Sequence, residues 1–248
     1  VLLQAPSGEF ANKSSVMRLW THEALRVFGD RLTDDNDRKW MCAHAATMCK
    51  EIFRCDFQSE FEHIRPAEET KPGYGTLRRL FWGDYMTPAD EDDRPYVEVR
   101  DLQLLQNRTE DSLAEFNQTS KKPMELVMFM FAIEHVSRIA RVLRMPGGNA
   151  LLVGVGGSGR QSLSILATEM AGYQLFRIEI TKSYRTFEWR EDLKTVLHLA
   201  GAQGKPTVFL FADTQIKDEG FLEDINNILN AGEIPNLYAK DELPGIFD

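Results

Sequence analysis

The run Gly154-Val155-Gly156-Gly157-Ser158-Gly159-Arg160-Gln161-Ser162 carries the densest chemistry in the chain. A glycine-rich turn that leaves a strand and restarts as a helix points several backbone N–H groups at one spot. The helix N-terminus adds partial positive charge there, and both suit a phosphate. Glycine is needed because a side chain would hold the phosphate off the backbone. Further on, Val208-Phe209-Leu210-Phe211-Ala212-Asp213 is an apolar run leading to an acid. In that shape a carboxylate at a strand tip meets magnesium.

Two phosphate motifs overlap in the glycine run. Read as Gly-x-x-x-x-Gly-Lys-Ser/Thr, it maps to Gly154, Gly159, Arg160 and Gln161, with arginine for lysine and an amide for the hydroxyl. Read as Gly-x-Gly-x-x-Gly, it maps to Gly154, Gly156 and Gly159, with Glu179 as the candidate ribose acid of a dinucleotide site. Context favours the first. A cation directly after the last glycine serves a triphosphate, the acid-tipped third strand follows in order, and about 150 residues precede the loop.

The elements that must position these residues are legible as periodicities. Ala150–Val153 reads as the strand before the loop, Ser162–Ala171 as the helix after it, and Gly172 as that helix's C-cap. Strands follow at Gln174–Ile180 and Thr207–Phe211, and helices at Tyr184–Ala200 and Phe221–Asn230. Short, nearly continuous apolar strands separated by helices predict a parallel sheet covered on both faces. Before about residue 90 the pattern is helical. Val16, Leu19, Trp20, Ala24, Val27, Phe28 and Leu32 form one apolar stripe, capped by Ser14 or Ser15. A helix is expected over 37–53 with Trp40, Ala43, Thr47 and Ile52 inward. Residues 65–75 and the acidic, proline-bearing stretch 87–95 read as loop and linker. Val99–Asn117 and Pro123–Leu143 read as helices, with Pro123 at a first helical position.

The 248 residues suffice for one large domain or two ordinary ones. A net charge of -9 makes the whole surface a poor partner for nucleic acid or an anionic membrane, so neither is expected. The longest clean apolar run, Leu126–Ile133, is far short of a membrane span. The chain begins at Val1 without a signal peptide and reads as a piece of something longer. Cys42, Cys49 and Cys55, an odd number without a paired C-x-x-C, argue against a disulfide framework and against a zinc site with His44. The sequons at Asn12, Asn107 and Asn117 do not outweigh this, and the cytosol is the default.

The string Asn149-Ala150-Leu151-Leu152-Val153-Gly154-Val155-Gly156-Gly157-Ser158-Gly159-Arg160-Gln161-Ser162-Leu163 resembles the fourth AAA+ module of axonemal dynein heavy chains. Phe131–Ile139 is similar to the helix before that loop, and Phe209–Ile216 and Phe221–Asn227 to the segment after it. Arg18–Phe28 and Asp30–Leu32 look like the helical lid of the third module. The resemblance implies an α/β fold: a P-loop AAA+ parallel-sheet large domain, truncated before its fourth and fifth strands, preceded by an all-α lid domain. Residues 1–90 would be the lid and linker, and 91–248 the N-terminal part of the large domain.

It also implies ATP or ADP in the loop, magnesium as a possible companion, and a parent motor that turns ATP hydrolysis into movement. The implied partners are the remaining AAA+ modules, microtubules, and intermediate and light chains. The implied locations are cytoplasm, cytoskeleton and the axoneme of cilia and flagella. The departures matter. Arg160 replaces a point charge by a planar fork, and Gln161 offers an amide where magnesium expects a hydroxyl. Ser162 carries a hydroxyl one step later. In one register Ala212 takes the metal-side acid position and Asp213 the catalytic one; in the other Asp213 is the metal-side acid with Thr214 behind it. Neither gives an acid pair, so nucleotide binding with slow or absent hydrolysis is expected.

Arg18, with Arg26 second, is the candidate lid arginine for the third module's phosphate. The plainer alternative is a surface pairing with Glu23. His22 and His44 read as structural histidines, and Glu134 and His135 as facing an interface or solvent. Met124, Met128 and Met130 read as core, and Asn226 and Asn227 as exposed.

Overall fold

A computed structural model describes residues 12–91, 93–239 and 242. The chain divides into two compact units, residues 1–146 and 147–248.

In the first unit, helix α1 (Lys13–Val27) is capped by Asn12, two or three positions before the expected Ser14 or Ser15, because the Asn12 side chain accepts a hydrogen bond from the Ser14 N–H at 3.0 Å. Met17, Thr21 and Leu25, spaced by four, are all buried, whereas Val27 and Phe28 are exposed, Phe28 by 63%. Of the expected stripe, Leu19 is in the core and Ala24 and Leu32 pack against it, and the core extends to the neighbouring stripe through Met17. Helix α2 (Asp35–Glu51) is capped by Asp34. It buries Met41, Cys42, Ala45 and Cys49, not the expected Trp40, Ala43, Thr47 and Ile52. The two stripes differ by one residue, about 100° of rotation. Trp40, 64% exposed, stacks on His44 at a ring separation of 5.2 Å.

Helices α3 (Phe57–Phe61) and α4 (Tyr74–Arg78) close this core around Phe61, Leu77 and Trp82. Strands β1 (Phe81–Gly83) and β2 (Val97–Val99) pair antiparallel, with Trp82 opposite Glu98. The acidic stretch read as a linker is the connection of this hairpin, and the first unit continues past it. Helix α5 (Leu102–Thr119) and helix α6 (Met130–Arg144) follow. Pro123 does not begin α6. The Asn117 side chain accepts from the Met124 N–H at 2.7 Å and donates to the Met124 carbonyl at 2.9 Å, which holds that segment out of helix.

One face of α6 is a ladder of ion pairs. Glu134 meets Arg78 at 2.9 Å, Arg138 meets Asp30 at 3.3 Å and Arg141 meets Glu23 at 2.5 Å. Arg144 meets Asp84 one turn on. Glu134 is buried among them, facing its own unit and not solvent. This ladder holds the helix that precedes the glycine loop in sequence.

In the second unit, helix α7 (Arg160–Ala171) is closed by Gly172 at φ 70°, as expected. Strands β3 (Gln174–Phe176) and β4 (Thr207–Phe209) pair in parallel, with Phe176 opposite Phe209 and their rings 5.7 Å apart. Helix α8 (Thr186–Leu197) connects them, and helix α9 (Glu219–Ala231) ends at Gly232 with φ 74°. Trp189 centres the core, stacked on Phe221 at 4.4 Å and donating Nε1–H to Asp224 at 2.8 Å. The parallel, helix-covered arrangement read from the sequence is present in this pair. The expected strand Ala150–Val153 is not. Leu151 and Val153 are 90% and 85% exposed, and the β3–β4 sheet has two strands. A strand exists by pairing, and an apolar run without a neighbouring edge gains nothing from extension.

Candidate functional site

The loop is a backbone cradle. It turns at Gly156 and Gly157 and enters α7 through Gly159; φ is 76° at Gly157 and 77° at Gly159. L-residues with a Cβ adopt that region only at a cost, so the turn selects glycine. The Ser158 N–H donates to the Val155 carbonyl at 3.3 Å and closes the turn. A Cβ at Gly156 or Gly157 would meet nothing within 4 Å, so that side of the backbone is open to a ligand. Helix α7 begins two residues earlier than expected, which puts Arg160 and Gln161 in its first turn. No acidic residue lies in that turn, leaving the positive helix end uncompensated by its own side chains.

The two polar side chains of that turn have definite partners. Arg160 folds back over the loop, donating Nη1–H to the Leu152 carbonyl at 3.4 Å and Nη2–H to the Val155 carbonyl at 3.2 Å. Gln161 accepts on Oε1 from Arg177 Nη2 at 3.3 Å. Arg177 is the first residue after β3. The next residue, Ile178, accepts on its carbonyl from Gln215 Nε2 at 2.8 Å. Gln215 closes the 3-10 turn Asp213–Gln215 and accepts on its Oε1 from the Ala212 N–H at 2.7 Å. The carboxyl end of β3 is therefore where the loop helix and the acid-bearing turn meet. In parallel sheets, ligands bind at the carboxyl ends of strands.

Asp213 opens that turn, and its Oδ1 accepts from the Thr214 N–H at 2.9 Å. Ser162 is half-buried in the first turn of α7. These are the groups expected to meet magnesium. Neither supplies the hydroxyl-then-acid-pair set that holds that ion in hydrolysing sites. Gln161, at the usual hydroxyl position, has its oxygen turned to a cation already. Arg177 and Gln215 were missed by motif reading. The legible signal was a cation at the end of the second strand.

Arg18 and Arg26 lie in the first unit. Arg18 is buried, with Nη1 at 2.9 Å from Glu60 and Nε at 3.0 Å from Glu98. Arg26 pairs with Asp30 at 3.2 Å. Glu23, the alternative partner for Arg18, instead accepts from His22 Nδ1 at 2.9 Å, Tyr96 Oη at 3.1 Å and Arg141. Burial alone would raise the Glu23 carboxyl, but hydrogen bonds from His22 and Arg141 outweigh it and hold the pKa at about 2. Burial lowers His22 from 6.5 to about 4, so the imidazole is neutral at pH 7. Burial beside the Glu23 carboxylate raises the Tyr96 phenol, which stays a donor.

Among the described residues, no group of three or more His, Cys, Asp or Glu is placed to hold a metal ion. No described helix is long and apolar enough to cross a membrane. A groove of about 500 Å³ lined by Glu191, Lys194, His198, Tyr238 and Glu242 shares no residue with the loop.

Residues 124–248 match the family described as the P-loop containing dynein motor region D4. Over 247 residues the chain is 45% identical to dynein axonemal heavy chain 3 of Homo sapiens, covering 100% of this chain and 6% of that protein. It is 44% identical over 247 residues to the Dynein-1-beta heavy chain, flagellar inner arm I1 complex, of Chlamydomonas reinhardtii, covering 100% of this chain and 5% of that one. It is 42% identical over 241 residues to dynein axonemal heavy chain 1 of Mus musculus, covering 97% and 5%. The chain thus spans about one-twentieth of the length of these relatives. The match is to a P-loop family, so the dinucleotide reading of Gly154, Gly156, Gly159 and Glu179 finds no support.

Proposed function

The chain belongs to the P-loop containing dynein motor region D4 family, and from that premise we propose that its Gly154–Ser162 loop holds ATP or ADP without efficient hydrolysis. The observation that carries this reading is the first turn of α7. A phosphate-transfer site needs a mobile point charge and a metal-binding hydroxyl there. Arg160 is instead tied to the Leu152 and Val155 carbonyls, and Gln161 to Arg177. The loop's open glycines and the uncompensated helix end still favour an anion. If magnesium accompanies the nucleotide, Ser162 and Asp213 are the groups that would meet it, supplying charge neutralisation.

The parent is an ATP-driven microtubule motor of the axoneme, in cilia and flagella, built on a ring of AAA+ modules. Its other modules, microtubules, and intermediate and light chains are its partners. Residues 1–90 form the lid of the third module, and 91–248 the first part of the large domain of the fourth. Arg18 and Arg26 would reach the third module's phosphate only on release from Glu60, Glu98 and Asp30. The fourth module's nucleotide then serves structure or regulation.

Steady-state turnover tests the claim on the parent motor with its other nucleotide sites disabled. Retained nucleotide with turnover far below about 1 s⁻¹ is expected, and turnover at or above that rate overturns the proposal.

A further inference from the structure

Resting on the nucleotide reading of this loop, we infer that Arg177 is a phosphate-binding residue that stands in for the divalent cation. The position after the loop's own cation holds Gln161, whose amide oxygen stands where a metal-binding hydroxyl is usual. That oxygen accepts from Arg177 Nη2 at 3.3 Å. A hard cation and a guanidinium cannot share one amide oxygen without crowding like charges. Arg160 turns both its terminal nitrogens to the Leu152 and Val155 carbonyls, which draws its guanidinium back over the loop. Arg177 is exposed, at the carboxyl end of β3 and beside the first turn of α7. Its remaining N–H groups form a fork suited to two phosphate oxygens. The adjacent Ile178 carbonyl is held by Gln215, so the backbone that presents Arg177 is anchored to the acid-bearing turn.

The consequence is nucleotide binding that does not depend on magnesium. Calorimetric titration of ATP and ADP into the full chain, with magnesium and then with a chelator, tests it. Wild type is expected to bind with affinities within about threefold of each other in the two buffers. Arg177→Ala is expected to weaken binding about tenfold in chelator, the loss of one charge-assisted contact. Arg177→Lys should recover part of it. Should Arg177→Ala unfold by circular dichroism, Arg177→Gln keeps an N–H donor without the charge and carries the same expectation. Gly157→Val, which strains the loop itself, should abolish binding in both buffers. If Arg177→Ala and Arg177→Gln bind like wild type in chelator while Gly157→Val does not bind, the role of Arg177 is overturned and the loop reading stands. If wild type binds only with magnesium, the stand-in role is overturned. If wild type binds no nucleotide in either buffer, both fall.

Discussion

Replacing Arg141 by methionine keeps most of the apolar stem and removes the charge that neutralises Glu23. Arg141 donates to Glu23 Oε2 through Nε at 2.9 Å and Nη2 at 2.5 Å, with the two side chains 9% and 11% exposed. Breaking a buried ion pair from one side strands the other charge and costs about 3–5 kcal/mol. Glu23 keeps His22 and Tyr96 as donors, which places Arg141→Met near the lower end of that range. Scanning calorimetry is the assay, because two compact units need not unfold in one transition. The transition of the first unit should fall by about 10 °C at pH 7.

The charge argument also fixes the pH dependence. Glu23 is held at about 2, so its contribution is complete above the ordinary carboxyl value and is lost as the pH falls toward 2. His22 is lowered from 6.5 to about 4. Between those values the unfolded chain takes up a proton that the folded chain does not, so stability falls through that window by about 3 kcal/mol. Both groups therefore make the wild-type chain acid-labile. Glu23→Gln combined with Arg141→Met removes the stranded charge and should recover much of the loss. A shift under about 2 °C for Arg141→Met at pH 7, or a double variant no more stable than the single one, refutes the reasoning.

Further expectations concern the two cores and the loop. Trp189→Ala should destabilise the second unit by about 3–5 kcal/mol in denaturant unfolding, since the indole is fully buried against Phe221 and bonded to Asp224. Gly83→Ala should cost more than Gly157→Ala. A Cβ at Gly83 would lie 2.0 Å from buried Tyr85, an overpacking cost of about 1–3 kcal/mol or more. Gly157 has open space and loses only about 1–2 kcal/mol of backbone strain; comparative thermal melts decide the order. Asp34→Ala should remove the α2 cap, whose Oδ1 accepts from Asn36 N–H at 2.7 Å, and cost about 1 kcal/mol by the same assay.

Sequence alone determined the features set by local chemistry. The glycine turn, the helix after it and the C-cap at Gly172 follow from backbone requirements that only certain residues meet, and the parallel β3–β4 pair from apolar runs separated by a helix. The departures at Arg160, Gln161 and Asp213 were equally legible, because they are substitutions in a motif whose chemistry is understood. Tertiary structure decided what depends on distant partners. Which stripe of α2 faces inward turns on a rotation of about 100°, and Trp40 is no guide to it. The hairpin β1–β2 was hidden because the acidic, proline-bearing stretch that joins its three-residue strands reads as a linker. The Glu23–Arg141 pair joins residues 118 positions apart. At the loop, only folding brings Arg177 to Gln161 and Gln215 to Ile178. A phosphate cradle can be written in consecutive residues, because one turn and one helix end make it. The cation that meets its first helical turn, Arg177, follows the next strand, and its position is set by packing.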